Sequence, residues 1–138
     1  MRNNTITICG SMAFIDEMEQ LASELQSGGF ETYTPQRSEN DLNWDNLSAE
    51  EANKRKRGFI DEHLALIRQS DYLLIANYAK NGIKGYIGAN TLMEIAFAYA
   101  LNIPIFVLHP IGEQGCRLEV QSVAANIFDG RVSPSDFT

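Results

Sequence analysis

The stretch at 71–108 constrains this chain more than any other. Asp71-Tyr-Leu-Leu-Ile-Ala-Asn77 is a short apolar run of the kind that a parallel sheet buries on both faces. A loop at 81–88 follows with glycine at 82, 85 and 88, which opens room for backbone N–H groups to approach a ligand closely. Residues 89–102 then read as a helix, with Asn90 or Thr91 as its N-cap, and Pro104 opens the next strand. That helix is apolar on nearly every side, and Glu94 is its one ionisable acid. The spacing predicts Glu94 in the first turn, where the helix dipole offsets part of the cost of burying a carboxylate. Glutamates also occupy first turns for that electrostatic reason alone, so two roles stay open at this point: a reacting group or a helix-end charge. A helix apolar all round is either central to a core or shared with another subunit.

The remaining chain alternates strand and helix. A β-rich run at 5–9 leads into Gly10-Ser11 and an amphipathic helix at 14–26, with Phe14, Met18, Leu21, Ala22 and Leu25 on one side. Gly28-Gly29 stops it, and 30–34 alternates as a strand up to Pro35. The segment 36–46 reads as polar and irregular, with Trp44 either capping the core or covering a pocket. Ser48 and Glu51 mark a capping box that opens a long helix to about Gln69, turning Phe59, Ile60, Leu64 and Ile67 inward. His63 reads as a partly buried, hydrogen-bonded residue. A fourth strand at 104–108 runs into the loop at 109–112, a short helix covers 117–125, and 126–130 reads as a short fifth strand; the tail after 130 is left unassigned.

This alternation predicts an α/β fold: a doubly wound, mainly parallel sheet of four or five strands, a flavodoxin- or Rossmann-like three-layer sandwich. Ligands in such sheets bind beyond the carboxyl ends of the strands. The loops at Gly10-Ser11, around Pro35, at 77–88 and at 109–112 fall there, with helix N-termini at Ser11 and Asn90 offering N–H groups to a phosphate or sugar oxygen.

With 138 residues the chain forms one domain, 1–138, and its net charge of −7 argues against nucleic acid or an anionic membrane as partner. The basic run at 54–57 reads as a solvated helix face. Two cysteines, Cys9 and Cys116, suit a reducing compartment and argue against a zinc cluster. No membrane-length apolar run or signal-peptide pattern is visible, so a cytoplasmic location is expected.

Ile8-Cys-Gly-Ser-Met12 after the first strand, Asp61 on the helix before Ser70-Asp71, and Gly88-x5-Glu94-x2-Phe-Ala together resemble the nucleoside 2-deoxyribosyltransferase superfamily. The opening Cys-Gly-Ser is closest to its 2'-deoxynucleoside 5'-monophosphate N-hydrolases, and the likeness runs in order over 5–108. The resemblance implies that Glu94 is the catalytic glutamate that attacks the anomeric carbon, and that Asp61 contacts the substrate and helps the base depart. It further implies a cradle of Cys9, Gly10, Ser11, Met12, Asn77, Gly88, Ala89 and Asn90. No metal or redox cofactor is implied, and a homodimer or higher homo-oligomer is. Two positions depart from the pattern. Gly88 stands where the transferases usually carry an aspartate, and Met12-Ala-Phe14 replaces the arginine-rich stretch of the N-hydrolases. The chain is thus expected to be a divergent member, with Lys84, Lys80 or Arg37 as candidates to hold a 5'-phosphate. The expected function is cleavage or transfer of an N-glycosidic bond of a nucleoside or nucleoside 5'-monophosphate. The alternatives are a non-catalytic nucleotide-binding or sensing module and a plain scaffold domain.

Overall fold

Alternating side chains in the strands decide which helix packs on which face. In the computed structural model, which describes residues 4–137, β1 (Thr5–Cys9) lies between β2 (Glu31–Tyr33) and β3 (Tyr72–Ile75). Ile6 and Ile8 of β1 point to one face, while Cys9 joins the core of the other. Leu74 likewise packs with Ile6 and Ile8, whereas Leu73 and Ile75 pack opposite, so the apolar run of β3 is buried on both faces as its composition predicts.

Among the described residues the sheet has five strands, all parallel, in the order β2-β1-β3-β4-β5, with β4 at Ile105–Val107 and β5 at Asn126–Ile127. α1 (Ile15–Ser27) covers one face through Ile15, Met18, Leu21, Ala22 and Leu25. α3 (Ala49–Arg68), α4 (Ala89–Ala100) and α5 (Arg117–Val123) form the other side, with Ile67, Ile95, Ala98 and Val120 buried in that core. The doubly wound α/β class expected from the sequence is the observed one. The strand order reverses between β1 and β3, which opens a crevice beyond their carboxyl ends.

Several local expectations need correction. The core position at the start of α1 is Ile15, while Phe14 ends a 3-10 turn and rests against Tyr78 with ring centroids 5.2 Å apart. The segment 36–46 is not irregular: it holds the short helix α2 (Arg37–Asp41) and a 3-10 turn at Trp44–Asn46. Trp44 donates its indole N–H to the Glu39 carbonyl at 3.1 Å and sets its ring against Phe59, so it pins α2 to α3. Ser48 caps α3 by accepting from the Glu51 N–H at 3.1 Å, but the Glu51 carboxylate goes to Arg55. The tail closes in a 3-10 turn at Pro134–Phe137, with Phe137 buried against Phe30, Tyr72 and Phe106. Burial of such a ring stabilises by about 2–3 kcal/mol, which fixes an end that has no regular pattern of its own.

The largest revision concerns α4. It starts at Ala89 with Gly88 as N-cap and no side-chain cap, so neither Asn90 nor Thr91 caps it. It ends at Ala100, and Asn102 turns the chain with φ of 60°. Glu94 therefore lies beyond the first turn, which holds no acidic residue.

Candidate active site

Three polar side chains meet beneath the crevice, each carried there by a different element. Cys9 is the last residue of β1 and faces α3 and α4. On α3, Phe59, His63 and Ile67 recur every four residues and so share one stripe. Glu94 comes from the second turn of α4. Glu94 is 4 % exposed and His63 7 %. Cys9 Sγ lies 3.3 Å from His63 Nε2, and His63 Nε2 lies 3.6 Å from Glu94 Oε2.

Burial sets the protonation of all three. Loss of solvent raises the Glu94 carboxyl to about 7, a hydrogen bond from Cys9 pulls it back, and Glu39 nearby adds to the rise. Burial lowers His63 to about 4, opposed by its hydrogen bond to the Ile8 backbone. The Cys9 thiol is pushed well up, first by burial and then by the Glu94 charge beside it. Between about pH 4 and 7 His63 and Glu94 are therefore both neutral, and their contact is not an ion pair.

The space around them is in two parts. A pocket of about 20 Å³ touches His63, Glu94, Gly10, Met12, Glu39 and Asn90, enough for a single water-sized sphere. A neighbouring cleft of about 440 Å³ shares Gly10, Met12 and Asn90 with it and adds Ser11, Lys56, Lys80 and the start of α4. That volume is in the range of small-molecule sites. Glu39 lines the small pocket, Lys56 lines the cleft, and the two are joined in an ion pair. Lys80 donates to the Ser11 hydroxyl at 2.8 Å. Gly88 gives α4 no side-chain cap, so among the described residues its first N–H groups at the cleft are left without one. A more voluminous hollow of about 790 Å³ lies between α1 and the tail, but it is lined by Asp16, Glu17, Glu24 and Asp136 and by none of the three buried groups.

The structure gathers most of the expected residues and separates others. Cys9 adjoins Glu94, and Gly10, Ser11, Met12, Gly88, Ala89 and Asn90 line the cleft. Gly10 has a packing reason as well, since a Cβ there would stand 2.8 Å from the Ala76 carbonyl oxygen. Asp61 does not join them: it is exposed on α3, and neither cavity touches it. Two residues along a helix turn the side chain by about 200°, so whatever brings His63 inward turns Asp61 out. Asn77 is buried as a tie between loops: it donates to the His109 carbonyl and accepts from the His109 N–H, both at 2.8 Å. The glycine-rich loop serves mostly the same purpose. A Cβ on Gly85 would come within 2.0 Å of the Pro110 carbonyl oxygen, and Gln114 bonds both Ile87 N–H and the Gly85 carbonyl. Of its three glycines, Gly88 lines the cleft.

Three residues were undervalued in the sequence. The Phe59-x3-His63-x3-Ile67 stripe points His63 into the core. Lys56, within a basic run that is otherwise exposed, reaches Glu39 at the cleft. Glu39 is buried in a segment with no periodic signal. Of the lysine and arginine candidates, Lys80 lines the cleft, whereas Arg37 is engaged by Asp16 and Glu19 at 2.6 Å each.

No curated protein sequence matches this chain. Among solved structures, it is similar to a 2-deoxyribosyltransferase of Bacillus psychrosaccharolyticus, at 17% identity and a TM-score of 0.62 over 96% of this chain and 95% of that one. It is also similar to a CMP N-glycosidase of Clostridium botulinum, at 14% identity and a TM-score of 0.51 over 91% and 89% of the two chains. At these identities the likeness is one of fold. Residues 8–128 match the family described as nucleoside 2-deoxyribosyltransferase, a span that holds all three buried groups and the cleft. The chain belongs to the nucleoside 2-deoxyribosyltransferase family.

Proposed function

We propose that the chain cleaves or transfers the N-glycosidic bond of a nucleoside or nucleoside 5'-monophosphate, with Glu94 as nucleophile. The observation that carries this reading is a buried carboxyl, poised near neutrality, at the floor of a crevice where the strand order reverses. Family membership supports it, as do the two structural neighbours, whose names describe a 2-deoxyribosyltransferase and a CMP N-glycosidase.

In this reading the ionised Glu94 forms a bond to the anomeric carbon as the bond from that carbon to the base nitrogen breaks. The base leaves with the electron pair. Water or a second base then attacks the same carbon and releases Glu94. A carboxylate suits both steps, because it stabilises the oxocarbenium-like transition state and can trap it covalently. The Cys9 thiol donates to the carboxylate, and His63, neutral at working pH, lies beside it without cancelling its charge. Asp61, exposed on α3, has no part in these steps. Ser11, Lys80 and the N–H groups at the start of α4 cradle the sugar or its 5'-phosphate.

Self-association belongs to the same reading. Met93 and Tyr99 of α4 and Leu118 of α5 are large exposed apolar side chains on adjoining helices, a surface suited to a second copy of the chain.

The test is chromatography of a panel of nucleosides and 5'-monophosphates after incubation with wild-type protein and with Glu94→Gln. Free base from wild type alone supports the reading, and an added second base separates hydrolysis from transfer. A nucleotide-sensing module on the same fold is the second reading. The pocket beside Glu94, about 20 Å³, favours it by admitting no sugar as it stands. It predicts saturable binding without base release, and an affinity little changed by Glu94→Gln.

A further inference from the structure

Cys9, His63 and Glu94 offer a sulfur, a nitrogen and an oxygen, all within 4.8 Å of one another and all buried. We propose that these three side chains form a binding site for a divalent cation of the zinc class. Tetrahedral zinc, with Zn–S of about 2.3 Å and Zn–N and Zn–O of about 2.0–2.2 Å, sets its ligand atoms about 3.4–3.6 Å apart. The separations in the protein are 3.3 Å for Cys9 Sγ to His63 Nε2 and 3.6 Å for His63 Nε2 to Glu94 Oε2. The third pair, Cys9 Sγ and the Glu94 carboxylate, lies within 4.8 Å, so closing the three onto one ion takes a shift of at most about 1 Å.

Charge balance favours occupancy. The thiol proton, and the carboxyl proton where present, pass to solvent as the ion enters. One thiolate, one carboxylate and one dication then sum to zero, so the buried site gains strong bonds and no net charge. The hydrogen bond of His63 to the Ile8 backbone fixes the ring, as a partner behind a metal-bound imidazole commonly does. The adjoining pocket, about 20 Å³ and lined by both His63 and Glu94, has room for one water as fourth ligand. A mixed sulfur, nitrogen and oxygen set selects zinc-like ions over magnesium or calcium. An ion here would occupy Glu94 and stop glycosidic attack, a consequence that rests on Glu94 being the nucleophile; binding itself does not.

The experiment uses the full chain, dialysed against a chelator and titrated with zinc chloride by calorimetry, with metal content counted after desalting. The expected result is one zinc per chain, weakened at least about tenfold by Cys9→Ser and by His63→Gln and unchanged by the surface variant Asp61→Asn. Cobalt loading should give a thiolate charge-transfer band that survives Cys116→Ser. The band remains decisive on wild-type protein even where Cys9→Ser fails to fold. Absence of stoichiometric zinc, zinc binding indifferent to Cys9→Ser, or a cobalt band lost with Cys116 overturns the site. Base release is assayed separately on metal-free protein. Cleavage without zinc binding removes the metal site and leaves the glycosidase reading; zinc binding without cleavage does the reverse.

Discussion

Glu94→Gln should make this protein more stable, and by an amount that depends on pH. The carboxyl titrates at about 7 in the folded chain against 4.5 when unperturbed, so the native state holds its proton over a range where the unfolded state has released it. A raised native value contributes stability in full below pH 4.5, loses it progressively from there to 7, and has none left above. The rise from 4.5 to about 7 corresponds to about 3 kcal/mol. The side chain is 5 % exposed, so solvent screening removes little of this. Glutamine has the same shape, does not ionise, and its amide can donate to His63 Nε2. The variant should therefore match wild type near pH 4.5 and exceed it by about 2–3 kcal/mol at pH 8. Urea denaturation at pH 5, 6, 7 and 8 reads the difference directly, provided the dependence on urea is equal in the two proteins. A constant difference across these pH values, or a variant less stable than wild type at pH 8, refutes the idea that Glu94 is a costly buried charge.

The same ionisation predicts that kcat/KM for base release rises through about pH 7 and then levels, as nucleophilic carboxylate replaces carboxylic acid; a profile flat from pH 5 to 9 contradicts the assignment. Lys80→Ala should raise KM about tenfold for a 5'-monophosphate and leave the matching nucleoside unaffected, since a hydrogen bond to a charged group is worth roughly 1.5–3 kcal/mol. Gly85→Ala places a Cβ at φ of 62° against the Pro110 carbonyl, and should lower stability by roughly 2–4 kcal/mol in thermal denaturation without touching the cleft. Light scattering at micromolar concentration should give an oligomeric mass that falls to the monomer in Met93→Asp, whereas a monomeric wild type removes the proposed self-contact.

The strands and long helices were legible because buried parallel strands leave apolar runs and α1 and α3 leave stripes. Ser48 was legible for a local reason, since its hydroxyl caps within three residues. The site was less so. Glu94 stood out as the lone acid of an apolar helix, but His63 and Asp61 were separable only by which helix face turns inward, and a two-residue choice reverses that. Glu39 and Lys56 come together across a non-periodic segment, where nothing local in either residue points to the other. Asn77 and Gly85 looked like ligand contacts because polar caps and glycines serve loop-to-loop packing with the same residue types.

The start of α4 shows how one turn of register changes chemistry. Capped at Asn90 or Thr91, the helix would carry Glu94 in or next to its first turn, where the dipole favours a carboxylate by about 0.3–1 kcal/mol or more. Capped at Gly88 instead, it carries Glu94 beyond the reach of that effect. Desolvation is then opposed by the thiol of Cys9 and more weakly by the Lys56 charge, and the carboxyl rises to about 7. An acid at its ordinary value would be fully ionised at neutral pH and a weaker nucleophile; one pushed well above 7 would be mostly protonated. Near 7 the group divides between both forms, where a small change in its surroundings shifts the fraction able to attack. Moving the helix start by substituting Gly88 with proline and Asn90 with serine, which also changes the cleft lining, should therefore alter the pH midpoint of catalysis. A midpoint that stays at about 7 in that double variant would show that burial alone, and not helix register, sets the value.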